Sequence, residues 1–198
     1  AHTNLDSIEG GVSHALAKAL GMNDLEILAP RENLLYTLTV HTPTAAAPMV
    51  AEALFAAGAG QIGHYDECHF QMEGMGTFRP LPGAQPAEGE LGERSLVKEQ
   101  MQRFVVSQEH RPEVQKALES SHPYEVVAHS WASMENHRSD VGYGVVGNLD
   151  QAMPWASFVK HVKEVLGLRA IRHSPVVAAE VKRVALCGGA GVDLLPRA

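Results

Sequence analysis

Residues 34–60 read LLYTLTVHTPTAAAPMVAEALFAAGAG, and this stretch sets out the fold of the middle of the 198-residue chain. Its first half alternates apolar and polar side chains, which is the period of a half-buried strand. In its second half, which follows the candidate N-cap Thr44, apolar residues recur at helical spacing: Ala47, Val50, Ala51 and Leu54. The stretch ends with two glycines. The stretch therefore predicts a strand followed by a helix.

The sequence that follows extends this pair into a longer series of elements. In order, it predicts a strand at 64–72, a turn at Gly74 and Gly76, a loop at 80–92, a strand at the end of 94–106, a short helix at 114–118 and a strand within 124–131. Strand, helix, strand, strand, helix, strand is the order of a ferredoxin-like α+β domain. In such a domain two helices cover one face of an antiparallel sheet, which explains why the strands alternate.

The segments on either side of this block carry further helices and strands. Residues 1–33 contain a helix that starts after Gly10-Gly11 and ends before Gly21. Residues 140–198 contain a glycine-punctuated strand, an amphipathic helix behind Pro154, a strand at 181–187, and a glycine turn into a last short helix. The whole chain therefore reads as a mixed α/β (α+β) protein.

Composition and charge exclude several classes of function. The chain has 16 Lys and Arg against 23 Asp and Glu, a formal charge of −7, so a nucleic-acid partner is not expected. Cys68 and Cys187 are the only cysteines, which favours reduced thiols in a cytoplasmic protein. No apolar stretch approaches the roughly 18 residues of a membrane span, so no membrane partner is expected. The chain starts without Met, which predicts that it is a piece of a longer protein.

Two residues that often bind metal precede the first helix, His2 and Asp6. Imidazole and carboxylate groups both bind divalent metals, but a metal site usually has three or four ligands. As a bare pattern, an Asp that caps the helix beside an ordinary His is the simpler interpretation. The pattern alone leaves both interpretations open.

A second group of metal-binding types lies at 64–69. On a strand, His64 and His69 would point to opposite faces, with Cys68 beside the first and Glu67 beside the second. Neither face holds a full ligand set, so a structural role is the preferred interpretation over a zinc site. His122 is followed by proline, which marks a helix end, so an interface or turn role is preferred over a catalytic one.

The glycine run 188–191 at the end of the 181–187 strand is the last candidate. Backbone N–H groups in such a turn can hold an anion. A dinucleotide fingerprint would need a further glycine at the position of Leu194, so that motif fails. The simpler interpretation is a tight turn, with Cys187 before it as a buried thiol.

Taken together, four motifs resemble those of one protein family. In order and spacing they are similar to the Nif-three-like dinuclear metal centre proteins, also known as GTP cyclohydrolase I type 2 homologs. The resemblance is to long-form members, which carry a CutA-like or PII-like insert. The motifs are His2-Thr3-Asn4-Leu5-Asp6 with Gly10-Gly11, the segment 58–78 from Gly58 to Gly76-Thr77-Phe78, His122-Pro123-Tyr124-Glu125, and Val184 to Gly191.

The resemblance implies a parent α/β domain at 1–33 and 140–198, interrupted by a ferredoxin-like insert at 34–139. It also implies a homo-oligomeric ring, a hexamer, with paired divalent ions (Zn, Fe, Mn or Mg) lining a cavity. Asp6 corresponds to a metal ligand, and His2 to a histidine that is either a ligand or lies beside the metals. The family's remaining ligands would lie before His2 and after residue 198, so residues 1–198 taken alone would bind metal weakly or not at all.

Two functional hypotheses follow from the resemblance. The first is a metal-dependent hydrolase of unknown substrate, in which paired ions activate water, Asp6 holds metal and His2 orients a group or moves a proton. The GTP cyclohydrolase label comes from the family alone, since no residue pattern here indicates guanine or triphosphate recognition. The alternative is a binding, regulatory or ring-assembly module in which the insert takes a small-molecule ligand or a partner.

Overall fold

The computed structural model describes residues 5, 7–138, 140–175, 178–189 and 191–198. They form two compact units, one from Ala1–Arg31 and His137–Ala198, the other from Glu32–Asn136. Within the described residues, no helix combines the length and the apolar character needed to cross a membrane. The elements in chain order are α1 (Val12–Ala19), β1 (Met22–Pro30), β2 (Leu35–Pro43), α2 (Ala47–Ala56), β3 (His69–Phe78), β4 (Ser95–Ser107), α3 (Arg111–Ser121), β5 (His129–Ser133), β6 (Gly142–Pro154), α4 (Trp155–Val165) and β7 (Glu180–Leu186), with 3-10 turns at Gln108–His110 and Val192–Arg197.

The unit at 32–136 has the ferredoxin-like topology that the sequence order predicted. Its strands lie in the order β3-β4-β2-β5, and each neighbouring pair is antiparallel. The first and last strands of the unit are neighbours, with Tyr36 opposite Ser133. The mixed α+β fold class is therefore confirmed.

One face of this sheet packs against α2 and α3. Leu38 and Val40 of β2 and their neighbour Phe104 of β4 are fully buried there, together with Val50, Leu54, Val114 and Leu118 of the helices. The opposite face, called here the open face, carries the residues that alternate with these. It includes His41 on β2, Glu99 and Met101 on β4, and Phe70, Met72 and Gly76 on β3.

Three local predictions in this unit are wrong. The strand expected at 64–72 begins only at His69, because the preceding chain turns through left-handed residues such as Gly63 and Glu67. Gly74 and Gly76 do not form a turn but lie inside β3, paired with β4. Thr44 does not cap α2. Its hydroxyl donates to the Lys98 carbonyl at 3.2 Å, and the helix starts after Ala46.

The other unit has a three-stranded antiparallel sheet in the order β1-β6-β7. Pro30, the last residue of β1, lies opposite Gly142, the first residue of β6. The core joins α1 to the sheet and includes Ala17, Leu20, Met22, Val145 and Leu149, with Phe158 and Val162 of α4 packed against it. The predicted amphipathic helix behind Pro154 is thus confirmed as α4.

The sequence patterns did not indicate β1. A register shift between Asn23 and Glu26, with Asp24 in the left-handed region at φ 51°, interrupts its ladder with β6. Such a bulge moves later side chains to the other face and destroys strict alternation. The strand is therefore defined by its pairing with β6.

Candidate functional site

The two predicted metal ligands, His2 and Asp6, lie outside the described residues. What the structure does describe is the chain directly after Asp6. The Ser7 carbonyl accepts a hydrogen bond from the Gly142 backbone N–H at 2.9 Å, and the Glu9 N–H donates to the Asp140 carbonyl at 2.9 Å. These bonds hold residues 7–9 against the start of β6.

Backbone conformation and close contacts explain the glycines at positions 10 and 11. Gly10 has φ 76°, which favours glycine. A Cβ on Gly11 would overlap the Leu5 carbonyl oxygen and lie 2.9 Å from the Ile8 carbonyl oxygen. The approach to α1 therefore requires glycine at position 11.

The predicted glycine turn after β7 contacts this same helix. The Gly188 N–H donates to the buried Ser13 hydroxyl of α1 at 3.2 Å. Gly189 has φ 84°, consistent with a tight turn, and Ala190 lies outside the described residues. Cys187 is partly exposed, so the expected fully buried thiol is not observed. The first and last family-like motifs thus flank one helix.

No three His, Cys, Asp or Glu side chains converge on a metal-sized site in the part of the chain that the structure describes. His69, a candidate at the sequence level, stacks on Phe104 with ring centroids 5.2 Å apart and meets Phe55 edge-on at 5.2 Å. His64 lies in the turn before β3 instead of on a strand. These contacts favour a structural role for the 64–69 segment over a metal site.

His122 ends α3 as the following proline predicted, and its imidazole joins two segments. Nε2 lies 3.0 Å from the His41 carbonyl oxygen, and Nδ1 accepts the Tyr124 backbone N–H at 3.1 Å. This pair of bonds fits the neutral ring, with the proton on Nε2. Burial lowers the pKa of His122, outweighing the opposite effects of the His41 carbonyl and the Glu99 charge.

We expect this histidine to make stability depend on pH. The unfolded chain, in which histidine has a pKa of about 6.5, takes up a proton more readily than the folded chain. The contribution of His122 is therefore complete above that pH and decreases as the pH falls through it towards the lower folded-state pKa. Urea titrations at pH 7 and pH 5 should show a smaller drop in unfolding free energy for His122→Asn than for the unaltered protein.

The exposed His64 provides the control for this pH effect. His64→Asn should lose as much stability between pH 7 and pH 5 as the unaltered protein does. An identical pH response in His122→Asn and the unaltered protein would show that the buried imidazole does not contribute to the acid sensitivity.

A cavity of about 380 Å³ opens on the open face of the ferredoxin-like sheet. Its walls come from β2, β3 and β4, from the loop after β3, and from the segment between α3 and β5. Most of the lining is apolar, and the polar groups include Glu99, Tyr124 and Glu125. Volumes of roughly 300–1,000 Å³ with a few converging polar groups are typical of small-molecule sites.

Glu99 and Tyr124 form the polar centre of this cavity. The Tyr124 hydroxyl donates to Glu99 Oε1 at 2.8 Å. Burial, and then the hydrogen bond to Glu99, raise the pKa of Tyr124 above its usual range, so the phenol keeps its proton. A Cβ on Gly76 would overlap the Glu99 carboxylate, so the absence of a side chain there makes room for this group.

Glu125, the third polar group, holds the loop at 80–92 at the cavity. The Gln85 backbone N–H donates to the Glu125 carboxylate, at 3.3 Å from one oxygen and 3.4 Å from the other. On the strand side, the Phe78 ring meets the Tyr124 ring edge-on at 6.1 Å. Sequence patterns did not reveal this cavity, because its residues come from separate elements; the only signal was the His122–Glu125 motif.

The fold and the motifs define a class: a two-unit α+β protein with a ferredoxin-like unit and an H-x-x-L-D segment that precedes α1 in the sequence. The family follows from direct comparison. Residues 1–198 match the model of the Duf34/NIF3 (NGG1p interacting factor 3) family, and the chain belongs to that family.

Curated relatives agree with this assignment. The chain is 41% identical over 192 residues to a Bacillus subtilis protein named GTP cyclohydrolase 1 type 2 homolog. It is 38% identical over 192 residues to the Halalkalibacterium halodurans protein of the same name. Each match covers 96% of this chain and 52% of the relative, so the chain spans about half the length of the curated relatives it matches.

Solved structures give the same result. A Bacillus cereus protein described as related to NIF3 superimposes with a TM-score of 0.79 at 34% identity, covering 98% of this chain and 52% of that one. Staphylococcus aureus protein SA1388 superimposes with a TM-score of 0.66 at 23% identity, covering 96% of this chain and 48% of that one. At 23% identity, the match to SA1388 shows a shared fold only.

Proposed function

We propose that the full-length protein containing this chain is a metal-dependent hydrolase with a dinuclear centre to which Asp6 contributes a ligand. The observation that carries the proposal is the H-x-x-L-D motif at residues 2–6 in a chain of the Duf34/NIF3 family. Its relatives are named as homologs of GTP cyclohydrolase 1 type 2.

The residues present fit part of such a centre. A carboxylate from Asp6 and an imidazole from His2 are donor types that Zn, Fe and Mn accept, and the carboxylate also suits Mg. No cluster of three donors occurs within the described residues, and the family resemblance implies that the remaining ligands come from before His2 and after residue 198. This chain would then supply one side of the site.

In the proposed mechanism, paired divalent ions would lower the pKa of a bound water and polarise a substrate oxygen. Asp6 would hold an ion, and His2 would hold an ion or orient a neighbouring group and move a proton. The backbone bonds of Ser7 and Glu9 to the start of β6 fix the chain that continues from Asp6. Gly11 allows α1 to begin close behind that fixed segment.

The ligand assignment is tested in the full-length protein with Asp6→Ala. Elemental analysis should show the loss of one or both ions of the pair per protomer, since the carboxylate is a direct ligand in the proposal. Hydrolysis of a panel of phosphoesters and nucleotides should fall by at least about 10–100-fold, the loss typical of disturbing even the surroundings of a metal site.

Asp66→Ala is the matched control, because Asp66 is an exposed aspartate in the turn before β3. It should keep both the metal content and the activity. Unchanged metal content in Asp6→Ala would refute the ligand assignment. Activity retained without metal would refute the hydrolase.

We further propose that the protein acts in the cytoplasm as a homo-oligomer, a hexameric ring. The support for this proposal is family membership together with the acidic, cysteine-poor composition.

The alternative proposal is that the ferredoxin-like unit is a binding or regulatory module. One observation favours it: the cavity of about 380 Å³ on the open face is built entirely from residues of that unit.

A further inference from the structure

The cavity on the open face combines apolar walls with an uneven distribution of charge. Its 14 lining residues include two glutamates, Glu99 and Glu125, and neither lysine nor arginine. A third carboxylate, Glu88, acts electrostatically on the Tyr124 phenol, so it adds to the negative potential of the site. A charged ligand that enters this cavity would therefore have to be a cation.

The hydrogen bonds leave Glu99 able to accept another donor. Tyr124 donates to Oε1 of Glu99, whereas a carboxylate has room for about four donors on its two oxygens. Because the Tyr124 phenol keeps its proton, Glu99 is the negative group of this pair. Glu125 also has acceptor capacity beyond its bond from the Gln85 N–H, but Glu125 is exposed whereas Glu99 is half-buried. A partly buried charge pair is screened less than an exposed one, so Glu99 is the stronger partner for a ligand's N–H.

The walls around Glu99 suit the apolar body of such a ligand. Phe78 and Tyr124 present aromatic rings, and Val126, Ala84 and Pro86 add aliphatic surface. Aromatic rings attract cations through their π faces as well as packing against apolar groups. Gly76 leaves the floor of the cavity open for the Glu99 carboxylate.

We propose that this cavity binds a small organic ammonium: a protonated primary amine that carries an apolar group of about ring size. The ammonium group donates to Glu99, and the apolar body packs against Phe78, Tyr124 and the aliphatic residues. The proposal gives a chemical class of ligand to the binding-module alternative and rests on that alternative alone. It does not depend on His2, Asp6 or a metal centre.

Three probes of nearly equal size test the proposal on the full-length protein. Benzylammonium is the cation, benzyl alcohol the neutral analogue and benzoate the anion. Ligand-observed NMR titrations at pH 7.5 should give benzylammonium a Kd of about 20 mM or tighter, as expected from the binding energy per atom of small ligands. Benzyl alcohol and benzoate should bind at least about tenfold more weakly, because they cannot form the charged hydrogen bond.

Variants then locate the binding. Glu99→Gln keeps the size of the side chain and an acceptor for Tyr124 but removes the charge, so it should weaken benzylammonium binding by at least about tenfold. Glu73→Gln is the matched control: Glu73 is an exposed glutamate on β3 whose register places it on the helix-packed face. It should leave the affinity unchanged.

Each contrary outcome overturns the inference. No saturable binding of benzylammonium up to about 100 mM, about five times the weakest expected Kd, would show that the cavity is not a site for this class, given the affinity expected for eight non-hydrogen atoms. Equal binding of benzyl alcohol would show an apolar pocket without charge selectivity. An unaltered affinity in Glu99→Gln would place the binding elsewhere. The comparison of probes needs no variant, so it holds even if Glu99→Gln fails to fold, and Asp6→Ala should bind benzylammonium normally.

Discussion

Phe104→Ala should destabilise the ferredoxin-like unit by about 3–5 kcal/mol, the range for removing a buried aromatic side chain. Phe104 lies in β4 and has the largest fully buried side chain among the described residues. Its ring packs edge-on against Phe55 at 5.6 Å and under the His69 ring at 5.2 Å. Alanine would leave a cavity between the sheet and α2 that neither neighbour can fill. Urea denaturation followed by circular dichroism measures the loss.

Leu96→Ala is the control for this substitution. Leu96 is an apolar residue on the same strand, but it is 68% exposed. Its truncation should change the unfolding free energy by no more than about 0.5 kcal/mol. Similar losses in the two variants would mean that β4 does not pack as described.

Gly142→Ala should destabilise the other unit by about 1–3 kcal/mol or more. A Cβ at this position would overlap the Ile27 side chain and the Ala29 carbonyl oxygen and lie 2.8 Å from the Pro30 Cα. To relieve these overlaps, β1 and β6 would have to move apart at the point where they pair. The same movement would strain the Gly142 N–H bond to the Ser7 carbonyl.

This second substitution therefore has two readouts in the full-length protein. Thermal unfolding should shift downwards, and metal content should fall if the anchor after Asp6 positions a ligand. Gly74→Ala is the control, because Gly74 also lies in a strand, has no positive φ, and has open space where a Cβ would be. Normal stability in Gly142→Ala would contradict the close approach of β1 and β6.

The elements that the sequence predicted well are those whose pattern survives in the folded chain. The alternation at 34–41 became β2, and the apolar repeat led by Ala47 became α2, because each buries one face in a single core. Where the backbone departs from regular geometry, the pattern fails. The bulge at Asp24 concealed β1, and the glycines in β3 imitated a turn although the pairing with β4 continues through them.

The two candidate sites also differ in how far the sequence alone can reveal them. His2 and Asp6 are close in sequence, so a motif can reveal them, and they remain predictions because they lie outside the described residues. The cavity around Glu99 depends on tertiary structure: β4 brings Glu99, the segment after α3 brings Tyr124, and the loop between β3 and β4 supplies a further wall. No local pattern relates these three segments.

The pairing of Pro30 with Gly142 bears on how the unit at 32–136 is connected to the three-stranded sheet. The residues at which the chain leaves the three-stranded sheet and returns to it are cross-strand neighbours, as are the first and last strands of the ferredoxin-like unit. A short hairpin turn could join β1 directly to β6 without altering any other pairing in that sheet. Replacing the entire unit at 32–136 by one turn would therefore leave the strand pairing of the three-stranded sheet intact.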